Sequence, residues 1–305
     1  MKKDITTLYD LEKEDFQMLF DSALELKKRQ RMGIYDAVLS GRVMGMIFDK
    51  HSTRTRVSFE AAMTRLGGTV IYMSSRDMQI ARAEPVKDTA RVLSRYIDAL
   101  VIRTYSQSLI EAYAQYADIP VINALSDRYH PCQVLSDLLT VIEHKGGYQG
   151  VRIAWVGDGN NVAHSWIAAA AVLGLDLVLG CPENYMPDAD ILAKARQKGN
   201  GSVTVVNDAA EAVAGADVIY TDVWASMGQE EEHRERLAVF ESFQVNEALA
   251  RLAKKDAIVM HCLPAHRDEE ITDEVLEGPR SVVWDQAENK MHMHKAILKA
   301  LILRA

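Results

Sequence analysis

Short runs rich in valine and isoleucine alternate with longer stretches of helical periodicity along most of this chain, and that rhythm constrains its fold more than any other feature. The runs VMGMIF (43–48), TVIYM (69–73), ALVIRTY (99–105) and PVINA (120–124) are followed by VRIAWVGD, DLVLGCP, SVTVVN, DVIYTDV and AIVMHCLP. Helical segments such as HSWIAAAAVLG and ILAKARQKG stand between them. Strands punctuated by helices in this way build parallel sheets covered by helices. Between Glu12 and Arg31 the residues Phe16, Leu19, Phe20, Ala23 and Leu24 recur at three-to-four spacing, an amphipathic helix suited to packing on such a sheet. The helix-like CQVLSDLLTVIEHK stops at Gly146-Gly147, where glycine can take the left-handed conformation that closes a helix. The expected fold class is therefore α/β: two parallel-sheet α/β domains, 1–147 and 148–285, the second Rossmann-like. A C-terminal helix, about 286–305, has no strand after it to feed and is expected to pack back on the first domain.

A chain of 305 residues suits two such domains, each large enough to bury an apolar core without disulfide or metal staples. Its formal net charge of -8 opposes a phosphate backbone, so no nucleic-acid partner is expected, while small anions remain open through local sites. Cys132, Cys181 and Cys262 are odd in number and widely spaced, which fits a reducing compartment. The start, MKKDITTLYDLEKEDF, lacks an apolar core after its lysines, and no apolar run approaches the ~18 residues of a membrane span. The expectation is a soluble, unprocessed, cytoplasmic protein with no membrane partner.

Chemistry concentrates where the strands end. IFDKHSTRTRVSFEAAM runs from an apolar strand into Ser52-Thr53-Arg54-Thr55-Arg56 and then a helical pattern. The unpaired N–H groups and positive dipole end of a helix N-terminus, joined by hydroxyls and guanidinium forks, make a compact site for a phosphate dianion. A hydroxyl that merely caps the helix beside solvated arginines is the plainer alternative; five such residues in a row favour the anion. Arg103 stands at the end of another strand, where open parallel sheets gather ligand groups, or pairs with a nearby carboxylate. His130-Pro131-Cys132-Gln133 sets an imidazole and an amide just before a long helix, each able to hydrogen-bond a carbonyl oxygen, although either alone is more often structural.

In the second half, Gly157-Asp158-Gly159-Asn160-Asn161-Val162 follows a strand and partly imitates the dinucleotide fingerprint. Val162 stands where the third glycine belongs, so the paired amides suit a polar small molecule better than a nicotinamide cofactor. Asp222, closing DVIYTDV, offers a carboxylate to an ammonium group or caps its own loop. Met260-His261-Cys262-Leu263-Pro264 carries another strand into a loop, and with no C-x-x-C or H-E-x-x-H spacing a zinc site is set aside. His292 and His294, two apart on a helical stretch, point to different faces and are set aside too.

Taken in order, Ser52-Thr53-Arg54-Thr55-Arg56, His130-Pro131-Cys132-Gln133, Asp222 through Ser226-Met227-Gly228, and His261-Cys262-Leu263-Pro264 resemble the signatures of the aspartate/ornithine carbamoyltransferase family across nearly the whole chain. The first two are shared with the aspartate branch, whereas the last two look like the ornithine branch. The resemblance implies transfer of a carbamoyl group from carbamoyl phosphate to the δ-amine of L-ornithine, by direct attack through a tetrahedral intermediate and with no cofactor. It implies that the N-terminal domain binds carbamoyl phosphate, that the C-terminal domain binds the amino acid, and that a homotrimer forms with active sites at its subunit contacts. Position by position it assigns Ser52, Thr53, Arg54 and Thr55 to the phosphate, and Arg103, His130 and Gln133 to the carbamoyl group. Gln79, in SSRDMQIARAEP, would reach into a neighbouring subunit's site. Asn161, Asp222, Ser226 and Met227 would hold ornithine, with Cys262 and Leu263 between the substrates. Arg54, Arg103, His130 and Cys262 form the implied catalytic set, and no metal is implied. Lys290 stands where the family usually carries an arginine on the carbamoyl carbonyl, keeping the charge and losing the fork. His51 replaces a small residue, and Ala81-Arg82-Ala83-Glu84 departs from a glycine-containing loop. A carbamoyltransferase for another amine and a non-catalytic homologue that keeps the phosphate site are the alternatives, which turnover separates.

Overall fold

β-branched side chains pack well on a pleated surface, and in the computed structural model, which describes residues 1–74, 84–225 and 233–304, each of the valine- and isoleucine-rich runs is a strand. The first half of the chain holds α1 (Lys13–Arg31), β1 (Val43–Phe48), α2 (Thr53–Arg65), β2 (Thr69–Ser74), α3 (Val86–Leu93), β3 (Ala99–Arg103), α4 (Gln107–Tyr116), β4 (Val121–Leu125) and α5 (Pro131–Lys145). The second holds β5 (Arg152–Val156), α6 (Asn161–Leu173), β6 (Asp176–Gly180), α7 (Ala189–Lys198), β7 (Ser202–Val206), α8 (Ala209–Val213), β8 (Val218–Thr221), α9 (His233–Phe240), α10 (Glu247–Ala250), β9 (Ile258–His261), α11 (Asp273–Leu276) and α12 (Val283–Ile302). Two units result, Met1–Leu139 with Asn289–Ala305, and Thr140–Glu288, so the chain divides inside α5 and inside α12. α5 itself ends before Gly146, which takes φ +76, the left-handed conformation that stops a helix.

The first unit carries a parallel sheet in the order β2-β1-β3-β4. β1 and β3 are buried along almost their whole length, as parallel strands covered on both faces must be. α1 buries Phe16, Leu19, Phe20 and Ala23 of the apolar stripe read from its sequence, while Leu24 stays partly exposed and Leu26 takes its place in the buried face. From Asn289 onward α12 packs against α1 and α2: Lys27 Nζ donates to Asn289 Oδ1 at 2.7 Å, Lys295 Nζ donates to Gln30 Oε1 at 2.9 Å, and His294 stacks on Phe59 with ring centroids 3.5 Å apart. The C-terminal helix therefore belongs to the first unit from Asn289 onward.

The second unit carries a parallel sheet in the order β7-β6-β5-β8-β9, the Rossmann-like arrangement of strands fanning out from β5. Its apolar helix α6 is buried from Val162 to Leu173, as a helix without a polar face must be. Trp155 of β5 stacks on Tyr220 of β8 at 5.2 Å, and Trp166 of α6 meets Tyr220 edge-on at 5.7 Å, so large aromatic area locks helix to sheet. Among the described residues no helix is long and apolar enough to cross a membrane.

Candidate active site

Ligand groups in open parallel sheets collect beyond the strand carboxyl ends where the strand order reverses. In the first unit that point lies between β1 and β3, where Phe48 pairs with Arg103. Asp49 N–H donates to Arg103 O at 2.9 Å and so ties the entry of α2 to the end of β3. Ser52 caps α2, its Oγ accepting from Thr55 N–H at 3.3 Å. Capping and anion binding are compatible here, because the cap serves one of several N–H groups that a helix start leaves without intrahelical acceptors. Thr53 and Arg54 are exposed at this helix start, whereas Thr55 is buried.

Arg103, His130 and Gln133 are all buried, His130 directly before α5 and Gln133 in its first turn. Lys290, on α12, donates to Gln133 Oε1 at 2.8 Å, while Gln133 Nε2 donates to Asp137 Oδ1 at 2.8 Å, so the amide is fixed at both ends. Burial, and after it the charges of Lys290 and Arg103, hold the His130 imidazole well below its ordinary range. His294 is held down in the same way by burial and by Lys290. Arg103, Lys290 and a neutral His130 thus gather hydrogen-bond donors in one buried place, the setting in which developing oxyanion charge is stabilised most.

Both histidines make the fold acid-sensitive. Their folded values lie below the ordinary 6.5, so between the two the unfolded chain binds more protons than the native one. Their contribution is complete above about pH 6.5 and shrinks as pH falls from there. The midpoint of thermal unfolding is therefore expected to drop between pH 7 and pH 5.5, and less steeply in a His294→Gln variant. An acid limb unchanged by that substitution would contradict the assignment.

In the second unit the strand order reverses between β5 and β8. The turn after β5 passes so close to the backbone at Pro187 that a Cβ on Gly159 would lie 2.3 Å from Pro187 N, which only glycine avoids. Asn160, rather than Asn161, caps α6: its Oδ1 accepts from Val162 and Ala163 N–H at 2.9 and 3.2 Å. The N–H groups that would meet a pyrophosphate are thereby occupied, a second reason beside Val162 that the turn is unlike a dinucleotide site. Asn160 Nδ2 also donates to Asp222 Oδ2 at 2.8 Å. Asn161 opens the helix one residue later.

Asp222, buried just after β8, accepts two further bonds at its other oxygen, from Val223 N–H and from the Cys262 thiol, each at 2.8 Å. Asn160, Asp222 and Cys262 thus form one hydrogen-bonded string across the ends of β5, β8 and β9. Leu263 takes φ +57, a conformation few non-glycine residues adopt, and its N–H donates to His261 Nδ1 at 2.8 Å. The protonated ring nitrogen is therefore Nε2, which donates to buried Glu270 Oε1 at 2.9 Å. Burial pushes the Cys132 thiol up to about 12 and raises Cys181 as well, leaving Cys262 as the half-exposed thiol.

Among the described residues two groups bring ligand-type atoms within 4.8 Å of one another, Asp222 with His261 and Cys262, and His266 with Glu269 and Glu270. Local spacing does not reveal the first, whose members come from two strand ends; its thiol and imidazole already engage Asp222, Leu263 and Glu270. Gln79, Ser226 and Met227 lie outside the described residues, as do Ala81, Arg82 and Ala83. Of the groups the structure brings out, Asn160 is read from the sequence only as one of two paired amides, His294 is set aside there with His292 on spacing, and Glu270 goes unmarked. The N-cap preference for asparagine after a strand is a signal for the first, whereas nothing local marks the other two.

Residues 3–143 match the family model described as the aspartate/ornithine carbamoyltransferase carbamoyl-P binding domain, and residues 149–301 match that of the Asp/Orn binding domain. An ornithine carbamoyltransferase of Syntrophus aciditrophicus is 56% identical over 302 residues, covering 99% of this chain and 100% of its relative. Among solved structures, the ornithine carbamoyltransferase from Pyrococcus furiosus superposes with a TM-score of 0.93 at 50% identity, covering 97% of this chain and 95% of that one. An anabolic ornithine carbamoyltransferase from Campylobacter jejuni superposes with a TM-score of 0.92 at 38% identity over the full length of both chains.

Proposed function

The chain belongs to the aspartate/ornithine carbamoyltransferase family, and on that premise we propose that it transfers the carbamoyl group of carbamoyl phosphate to the δ-amine of L-ornithine, giving L-citrulline and phosphate. In the first unit Ser52, Thr53, Arg54 and Thr55 take the phosphate, and Arg103, His130, Gln133 and Lys290 surround the carbamoyl group. In the second, Asn161, Asp222, Ser226 and Met227 take L-ornithine, with Cys262 and Leu263 at the reacting end. The observation that carries the acceptor assignment is the Asp222 carboxylate, which both Asn160 and Cys262 hold as an acceptor. A fixed negative group there suits an ammonium and repels the second carboxylate of an aspartate.

The δ-amine attacks as the neutral base, its lone pair forming the new C–N bond while the carbamoyl oxygen becomes an oxyanion. Arg103, Lys290 and neutral His130 stabilise that oxygen, and Arg54 with the α2 N-terminus stabilises the departing phosphate. As the C–O bond breaks the phosphate becomes the stronger base and takes up the amine's proton. Holding both reactants in place supplies much of the remaining acceleration, and no step calls on a cofactor. The working form is a cytoplasmic homotrimer with shared active sites, Gln79 being contributed by a neighbouring subunit; three cysteines outside any disulfide and the net charge of -8 support a reducing setting without nucleic-acid or membrane partners.

Purified protein given carbamoyl phosphate and L-ornithine in chelator-containing buffer is expected to release citrulline and phosphate in equal amounts. Phosphate release without citrulline would overturn the proposal. Lys290→Arg restores the guanidinium fork, and its KM for carbamoyl phosphate is expected to fall by about tenfold; unchanged kinetics would show that the missing fork carries no energy.

A further inference from the structure

Arg236 of α9 is a buried charge for which the proposed chemistry has no use. Its side chain is 4% exposed. Nε donates to Trp224 O, and a terminal nitrogen pairs with Asp158 Oδ2. The guanidinium also lies over the rings of Tyr185, at 4.5 Å, and Phe240, at 5.5 Å, while Phe240 stacks on Trp224 at 5.6 Å. A cation engaged by an acid, a carbonyl and two ring faces has little rotamer freedom left.

The two polar groups it joins flank the acceptor half-site. Asp158 lies in the turn after β5, two residues before Asn160, whose amide holds Asp222 Oδ2 at 2.8 Å. Trp224 lies in the turn after β8, two residues beyond Asp222. One side chain therefore pins both strand-end turns from which the acceptor carboxylate is built.

We propose that Arg236 is a positioning residue for the acceptor: it fixes the separation of the β5 turn from the β8 turn, and with it the place of Asp222, without touching substrate. The proposal rests on the functional reading above. Arg236→Met keeps the apolar stem and removes both polar bonds, and its KM for L-ornithine is expected to rise about tenfold to a hundredfold while that for carbamoyl phosphate stays within about twofold. Arg236→Lys keeps a charge for Asp158 but cannot serve two partners at once, and recovers part of the loss.

A second readout is independent of turnover. The Cys262 thiol donates to Asp222, so a displaced Asp222 frees it, and iodoacetamide should alkylate Cys262 several-fold faster in the folded Arg236→Met protein, Cys132 and Cys181 being buried. A merely structural arginine would lower the unfolding temperature of both variants while leaving the acceptor KM and the alkylation rate where they were, and that result overturns the proposal. If the unaltered protein carbamoylates no amine, the functional reading falls, and the alkylation comparison still decides the role of Arg236.

Discussion

Replacing Arg103 with methionine is expected to lower kcat/KM for carbamoyl phosphate by about a thousandfold, the upper range for removing one preorganised donor from a developing oxyanion. The reason lies in where the side chain is held. Arg103 ends β3 beside the point where strand order reverses, is buried, and stands close enough to His130 to help keep that ring neutral. Burial remains the leading cause of the depressed imidazole after the substitution, so His130 stays a neutral donor and does not replace the missing cation. The backbone bond from Asp49 N–H to Arg103 O does not depend on the side chain, so the helix entry at Ser52 is expected to persist. Steady-state kinetics on a variant with the native circular-dichroism spectrum checks this, and a loss smaller than about tenfold would remove Arg103 from the catalytic set.

Asp222→Asn produces the second large effect, on the other substrate. Asparagine matches the carboxylate in shape but offers one acceptor oxygen where the native residue uses two, toward Asn160 on one side and toward Cys262 and Val223 on the other. Its amide nitrogen must face a donor in either orientation, and the charge proposed to meet an ammonium is gone. A fall of about a hundredfold to a thousandfold in kcat/KM for L-ornithine follows, with carbamoyl-phosphate binding intact. Calorimetric titration with each substrate separates the two. Equal losses for both would mean that the substitution disturbs the fold and not the acceptor site.

How much of this was legible in the sequence follows from how local each feature is. The strand Val43–Phe48 and the stripe Phe16, Leu19, Phe20 and Ala23 are set by neighbouring residues, and both could be read from periodicity. The capped helix start at Ser52 is likewise visible because a cap and the helix it opens are contiguous. Lys290 was singled out by resemblance alone, since its bond to Gln133 joins residues 157 positions apart. The Asn160–Asp222–Cys262 string and the Arg236 bridge are assembled from separate strand ends, and no spacing rule encodes them. The dinucleotide-like turn was readable in outline, yet which of its two asparagines caps the helix depended on backbone geometry.

The second unit is proposed to select ornithine by the fixed charge of Asp222. The most direct measurement is the initial rate of carbamoyl transfer from saturating carbamoyl phosphate to L-ornithine, L-aspartate, putrescine and N-acetylornithine, run side by side. Turnover is predicted with L-ornithine at a rate far above the other three. Preferential carbamoylation of aspartate or putrescine would contradict the acceptor assignment while leaving the phosphate site standing, and binding of carbamoyl phosphate without transfer to any of the four would contradict the claim of catalysis itself.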